Sequence, residues 1–261
     1  KADKLEDFML RQAFSLRPEM DLMEAMRLTV NKHYPSYPVC DGRSVLIGIV
    51  RGSRIFEQQA IEISAQAGAM VGVEKEERMS TPFRRSLRFR HPWLQFNLLT
   101  AFVAAAVVGF FEGTIERIVV LAVFLPVLAG QSGNTGCQAM AVALRGLTRG
   151  ELKPGDARRH VFKEGMLGLA NGALVGLSAG IGMFIYASIK HTPESPLVLS
   201  AIVLLAMTGS CFLSGLSGVL VPVTLKKLGF DPATASSIFL TTATDVASMG
   251  LFLGLATWWL G

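Results

Sequence analysis

Apolar residues run in long, nearly unbroken stretches through the second part of the chain and only briefly through the first. Five stretches stand out, at residues 93–111, 118–144, 165–189, 197–223 and 232–260. Each is long enough to cross a bilayer as a helix. Ahead of them the period changes. Residues 20–30 place apolar side chains at helical spacing after Pro18, and residues 37–39 and 45–50 read as two short strands flanking Asp41-Gly42. From Phe56 to about Arg85 the pattern predicts one more helix, joining this small module to the first stretch. The predicted fold class is therefore an all-α polytopic membrane protein with five transmembrane helices, preceded by a small α/β module and a connecting helix. The expected division is 1–56, 57–90 and 91–261.

Composition sharpens that division. The chain has 261 residues, of which 51% are hydrophobic before its 26 glycines are counted. Charged residues number 27 in the first 90 positions and 18 in the remaining 171. This excludes a wholly soluble enzyme, a disordered chain and a small disulfide scaffold. The net charge of +5 is no nucleic-acid footprint, because the basic residues cluster beside the hydrophobic stretches, where they set topology. Arg84, Arg85, Arg88 and Arg90 precede the first span; Arg145, Arg149, Lys153, Arg158, Arg159 and Lys163 lie between the second and third; Lys226 and Lys227 lie between the fourth and fifth. The other loops carry no basic excess. The expected orientation puts the N-terminus in the cytoplasm and the C-terminus outside, in a plasma or bacterial inner membrane, with Trp258 and Trp259 as an interfacial anchor in contact with lipid. The chain opens at Lys1 on a charged segment without an initiator Met, and is expected to be a fragment.

Candidate chemistry concentrates in two spans. Asp245 lies near the middle of the fifth, which is otherwise free of charge from Pro232 to Gly261, and a carboxylate at that depth is costly. Ser237, Thr241 and Asp245 stand at i, i+4 and i+8, so they share one helix face, with Thr242 and Thr244 beside them. A polar stripe on an apolar helix suits a pore lining; a protonated Asp bonded to a neighbouring helix is the alternative. In the second span, residues 130–138 read Gly-Gln-Ser-Gly-Asn-Thr-Gly-Cys-Gln, shortly after Pro126. This run is expected to kink or unwind beside a cavity, where Asn134 and Gln138 can face an ion; a tight helix crossing through its small residues is the alternative.

Glycines at 168, 172, 176 and 180 in the third span point to packing. Glu112 and Glu164, near span ends, are possible vestibule charges. Glu74, Glu76 and Glu77, with Asp3, Glu6, Asp7, Glu19 and Asp21 further upstream, form an acidic set that could hold hydrated divalent ions or simply face water. His33, His91, His160 and His191 all fall outside the spans, and no second mid-span carboxylate accompanies Asp245, so a membrane-embedded hydrolase has no nucleophile and base to work with. The three cysteines, Cys40, Cys137 and Cys211, have no C-x-x-C spacing and indicate neither disulfide nor zinc.

These motifs resemble the MgtE family of magnesium channels and transporters. Pro126 followed by Gly133-Asn134-Thr135-Gly136-Cys137-Gln138 is similar to the family's second-helix signature. Phe230-Asp231-Pro232-Ala233 leading to Thr241-Thr242-Ala243-Thr244-Asp245 is similar to its fifth. Pro92-Trp93-Leu94 with Asn97, and Phe111-Glu112-Gly113, look like its first span, and residues 5–56 look like one CBS motif. The resemblance implies a homodimer passing hydrated Mg2+ inward, with Asp245 of each chain as the metal residue and Ser237, Thr241, Thr242, Thr244, Asn134, Gln138, Gly133 and Gly136 lining the route. It also implies that the connecting helix is a plug, closed when cytoplasmic Mg2+ occupies Glu74, Glu76 and Glu77. Ile238, Ser237 and Ser248 depart from the family's usual residues. Nucleotide binding by a single CBS motif is left open, no nucleic acid is implied, and the competing reading is a membrane-anchored divalent-cation sensor that conducts nothing.

Overall fold

The computed structural model describes residues 4, 7, 9, 13–29, 31–32, 34–152 and 157–261, so the expectations for Asp3, Glu6, His33 and Lys153 lie outside the described residues. Contacts divide the chain into two units, residues 1–67 and 68–261.

The first unit is built around a hairpin. Helix α1 (Leu22–Thr29) is followed by β1 (Ser36–Cys40), β2 (Leu46–Arg51) and the start of α2 (Gly52–Ala69). The strands pair antiparallel with Tyr37 opposite Val50 and Val39 opposite Gly48, and a bulge falls between Val39 and Cys40. Asp41 closes the turn: its Oδ1 accepts from the Arg43 and Val45 amides, both at 2.9 Å. A lone hairpin is marginal in water. Here it is backed by a small core of Leu16, Ala25, Met26, Tyr37 and Ile55, in which Tyr37 is fully buried. Leu16 extends the sheet by exchanging backbone bonds with Pro38 and Cys40.

The second unit contains the five long apolar helices, α3 (Phe83–Phe110), α5 (Val120–Thr148), α6 (Ala157–Lys190), α7 (Pro196–Lys227) and α8 (Pro232–Leu260); a short α4 (Glu112–Arg117) joins the first two. All five are long and apolar enough to cross a membrane. With the matching hydrophobic pattern, this is the polytopic all-α fold expected from the sequence. Helix α7 is the most apolar and sits centrally, packed against α6, α5 and α8, while α3 touches α8 and buries only Ala104. One large core joins Leu121, Phe124 and Leu128 of α5, Met183 of α6, Ile202, Val203 and Met207 of α7, and Phe252, Leu253 and Ala256 of α8. At the other end of the bundle, Ala143 and Leu147 of α5 meet Val219 and Val223 of α7.

Two expectations are corrected. The connecting helix does not run unbroken to Arg85: α2 ends at Ala69, residues 70–82 form tight turns, and a new helix starts at Phe83 and continues into the first span. Gly72 explains the break, because it takes a left-handed φ of 75° and lies so close on the Trp93 ring that any side chain there would overlap it. Nor does α5 unwind at residues 130–138. It is helical throughout, and its small residues serve close packing instead.

Candidate pore site

Helix α8 begins with a standard start signal. Asp231 caps it by accepting the Ala233 amide at 3.0 Å, and Pro232 occupies the first turn, where a missing N–H costs nothing. From there the helix carries its polar residues past α5. Thr244 and Leu240 face α5 directly: a methyl on Gly136 would lie 3.0 Å from the Thr244 methyl and 3.1 Å from Leu240. Buried Ser132 of α5 reaches the Thr244 carbonyl at 3.5 Å. The crossing is tight because Gly133, Gly136 and Ser132 have almost no side chain to keep the helices apart.

Asp245 sits one residue further round, on a partly exposed face shared with Thr241 and Ser237. It forms no ion pair among the described residues. The threonines direct their hydroxyl hydrogens inward: Thr241 donates to the Ile238 carbonyl at 3.1 Å, Thr242 to the same carbonyl at 2.8 Å, and Thr244 to the Thr241 carbonyl at 3.0 Å. A hydroxyl whose hydrogen is spent on its own helix keeps its lone pairs for a cation or the water around one.

Within one chain, the two amides expected to line the same route lie apart from Asp245. Asn134 and Gln138 lie on the opposite side of α5, about 160° round the helix from Gly136 at 100° per residue. There they form an exposed row with Val127, Gln131, Val142 and Arg145. Within one chain the structure brings Gly133 and Gly136 to Thr244, and leaves Asn134 and Gln138 apart from Asp245.

Glu112 is exposed at the start of α4. Glu164 lines a cavity with Glu151, His160 and Lys163 at the end of the bundle where α6 begins, with its Oε1 3.7 Å from the Lys163 ammonium. The acidic set near the first span is not an open metal cluster. Glu77 is paired with Arg90 at 2.6 Å and Glu76 with Arg85 at 3.2 Å, while Glu74 is exposed. The Glu77 carboxyl is held below the usual carboxylate range chiefly by the hydrogen bond from Arg90; burial opposes this, and a Ser86 hydrogen bond and the Arg90 charge add to it. Among the described residues no group of three or more His, Cys, Asp or Glu is placed to hold a metal. Sequence reasoning missed these ion pairs, because their partners lie 9 and 13 residues apart across a helix break.

Comparison with known proteins decides the family. Residues 125–255 match a family described as MgtE, divalent cation transporter. The chain belongs to the MgtE family. Residues 5–60 match the CBS domain, which coincides with the hairpin unit. Similar proteins include the magnesium transporter MgtE of Bacillus subtilis, 28% identical over 255 residues, covering 98% of this chain and 55% of that protein. That of Enterococcus faecalis is 28% identical over 253 residues, covering 97% and 54%. That of Thermus thermophilus is 29% identical over 256 residues, covering 97% and 55%. The chain thus spans about half the length of these MgtE relatives.

Proposed function

We propose that this chain moves hydrated Mg2+ into the cytoplasm through a pathway between two copies, with Asp245 of each copy as the residue that holds the ion in mid-membrane. The carrying observation is the polar face of α8: a partly exposed, unpaired carboxylate on an apolar helix, flanked by hydroxyl oxygens with free lone pairs. Magnesium sheds water reluctantly and is commonly held through its waters by one or two carboxylates and neutral oxygens. Two aspartates from symmetry-related helices supply that charge.

The second copy has support of its own. Gln131, Asn134 and Gln138 form an exposed row in mid-span, and amides facing lipid lack partners for their hydrogens. A second chain or a water-filled route covers them at no such cost. Inward movement needs no nucleotide hydrolysis, since a negative interior contributes roughly 2.3 kcal/mol per elementary charge per 100 mV and the ion carries two. With the basic loops inside, the residue 1–56 module and its connector lie in the cytoplasm, where they can gate flux in response to Mg2+. In this scheme Asp245 is the ion-holding residue, Thr241 and Ser237 line its approach, and Glu112 and Glu164 mark opposite mouths.

The test is flux of Mg2+ and other divalent cations into liposomes containing the full chain, compared with Asp245→Asn. Wild type is expected to conduct and the variant to fall to the protein-free leak, with helix content and gel-filtration profile unchanged. A folded D245N protein with wild-type flux overturns the assignment; a wild type without flux for any divalent ion favours a sensor.

A further inference from the structure

We propose that the cavity where α5 ends and α6 begins is a binding site for a zwitterionic lipid headgroup, a primary ammonium joined to a phosphate diester, of the phosphatidylethanolamine class. The inference goes beyond the pore reading and stands whether or not the chain conducts.

The site is a built cavity. It has a volume of about 200 Å3 and is lined by Glu151, from the turn after α5, and by His160, Lys163 and Glu164, from the first turns of α6. Leu152 and Val219 add apolar wall, and both belong to the buried cluster that joins α5, α6 and α7 at this end of the bundle. Backbone contacts fix the frame. The Glu151 and Leu152 amides donate to the Gly146 carbonyl at 2.9 and 3.0 Å, a turn that Gly150 permits with a left-handed φ of 73°. A methyl on Gly215 of α7 would overlap the Glu164 carbonyl, so the α6 and α7 backbones touch where Glu164 projects.

The charges select the ligand. The Glu164 side chain is only 13% exposed, yet its nearest cation, Lys163 Nζ, stands 3.7 Å away, beyond hydrogen-bond reach, and no other donor meets it among the described residues. A covered carboxylate without a donor is costly. Glu151 gives one oxygen to Arg149 at 3.0 Å and keeps the other. On the same cavity, His160 has no hydrogen-bond partner among the described residues. Two carboxylates in want of donors thus share one space with an ammonium and an imidazole that can donate. A divalent cation fits poorly, because Lys163 adds like charge and no group of three or more His, Cys, Asp or Glu is placed to hold it among the described residues. A purely anionic headgroup meets Glu164 with repulsion. A headgroup of both signs satisfies each half: its ammonium donates to Glu164 and Glu151, and its phosphate oxygens accept from Lys163 and His160.

The source of that headgroup is written along α6. His160, Lys163 and Leu167 stand at i, i+3 and i+7, with Met166 beside them, so the four share one side of the helix. Met166 and Leu167 are 43% and 45% exposed. The polar pair comes first, at the end of the bundle with the basic loops, and the apolar pair follows toward mid-span. That is the order of head and tails in a lipid leaflet, and a soluble aminophosphate has no use for the apolar pair.

The full chain, purified in detergent and stripped of lipid, is titrated with phosphatidylethanolamine, phosphatidylglycerol and phosphatidylcholine of identical acyl chains, and bound lipid is read by native mass spectrometry. Phosphatidylethanolamine is expected to bind about tenfold more tightly than the other two, since choline has no N–H to donate and glycerol no positive charge. Glu164→Gln should weaken phosphatidylethanolamine about tenfold and leave phosphatidylglycerol unweakened, whereas Lys163→Gln should weaken both. Glu151→Gln, at a more exposed side chain, gives the same selective loss and decides the matter if E164Q does not fold. Equal binding of the three lipids overturns the proposal, and so does a preference that survives these carboxylate substitutions in folded protein. Soluble glycerophosphoethanolamine is the final arm: it should fail to displace the lipid at equal concentration, and equal competition would overturn the membrane as the source.

Discussion

Along α6 the glycines at 165, 168, 172, 176 and 180 all face α7, and along α5 Gly133 and Gly136 face α8. The two pairs use the same device toward different ends. In the first, the glycines vanish into backbone contact: methyls on Gly172 and Gly176 would lie 3.0 Å from the Met207 and Leu204 carbonyl oxygens, and one on Gly180 would lie 3.1 Å from that of Ser200. No Asp, Glu, Lys or Arg accompanies them at depth, and the result is a fused helix pair. In the second, the glycines meet side chains instead of backbone, a methyl lying 3.0 Å from Thr244 at Gly136 and 4.0 Å from it at Gly133, and beside the contact run Thr241, Thr242 and Asp245, only partly covered. Small residues bring helices together in both cases. In the proposed function, the polar side chain left uncovered next to the contact is what sets the second pair apart.

The contrast can be broken in order of severity. Gly168→Leu is expected to do the most damage, because its first carbon would overlap the Cys211 carbonyl and neither backbone can yield; overpacking costs about 1 to 3 kcal/mol or more, and we expect loss of monodisperse protein on gel filtration. Gly182→Leu, on the same helix with nothing within 4 Å, is the matched control and should leave the profile unchanged. Gly136→Val comes next: it pushes on the Thr244 methyl at 3.0 Å, a side chain that can shift, so the protein should fold with a melting temperature lowered by a few degrees and markedly reduced Mg2+ flux.

Replacing both Asn134 and Gln138 by Leu sharpens the comparison further. Flux about tenfold lower, a change of ~1.4 kcal/mol in the barrier, is expected of the folded double variant if the exposed amide row meets the pathway of a paired copy. Wild-type flux in that variant would place the row against lipid. The smallest effect belongs to Trp258→Ala at the rim. This ring is 75% exposed and stacks on Trp259 with centroids 6.0 Å apart, so its removal should weaken interfacial anchoring and lower thermal stability by less than about 1 kcal/mol, with flux retained.

Much of this architecture was legible in advance. The five apolar stretches map onto α3, α5, α6, α7 and α8, the last with its Asp231-Pro232 start signal, because bilayer thickness imposes one length on every span. The hairpin flanking Asp41-Gly42 was legible from strand periodicity and turn chemistry. The glycine-rich run at 130–138 was not. Its composition suits unwinding and close packing alike, and only the neighbour decides; with Thr244 and Leu240 against it, the helix stays intact. The break after Ala69 had a local signal in Gly72, but glycine also sits inside helices, and what fixes it here is Trp93, 21 positions away. Asp245 was singled out by its depth in an otherwise uncharged span. The opposite placement of Asn134 was missed because family motifs state identity and spacing, and facing direction follows only once the contact face of α5 is known.

Both ends of α8 are tied off. Asp231 closes the first turn, while at the far end Arg117 of α4 donates to the Leu260 carbonyl and Thr114 meets the Thr257 hydroxyl at 2.8 Å. The cap stiffens the first turn, while the α4 contacts hold the far end to a neighbouring element, so spin labels beside Thr257 should keep their distance from α4.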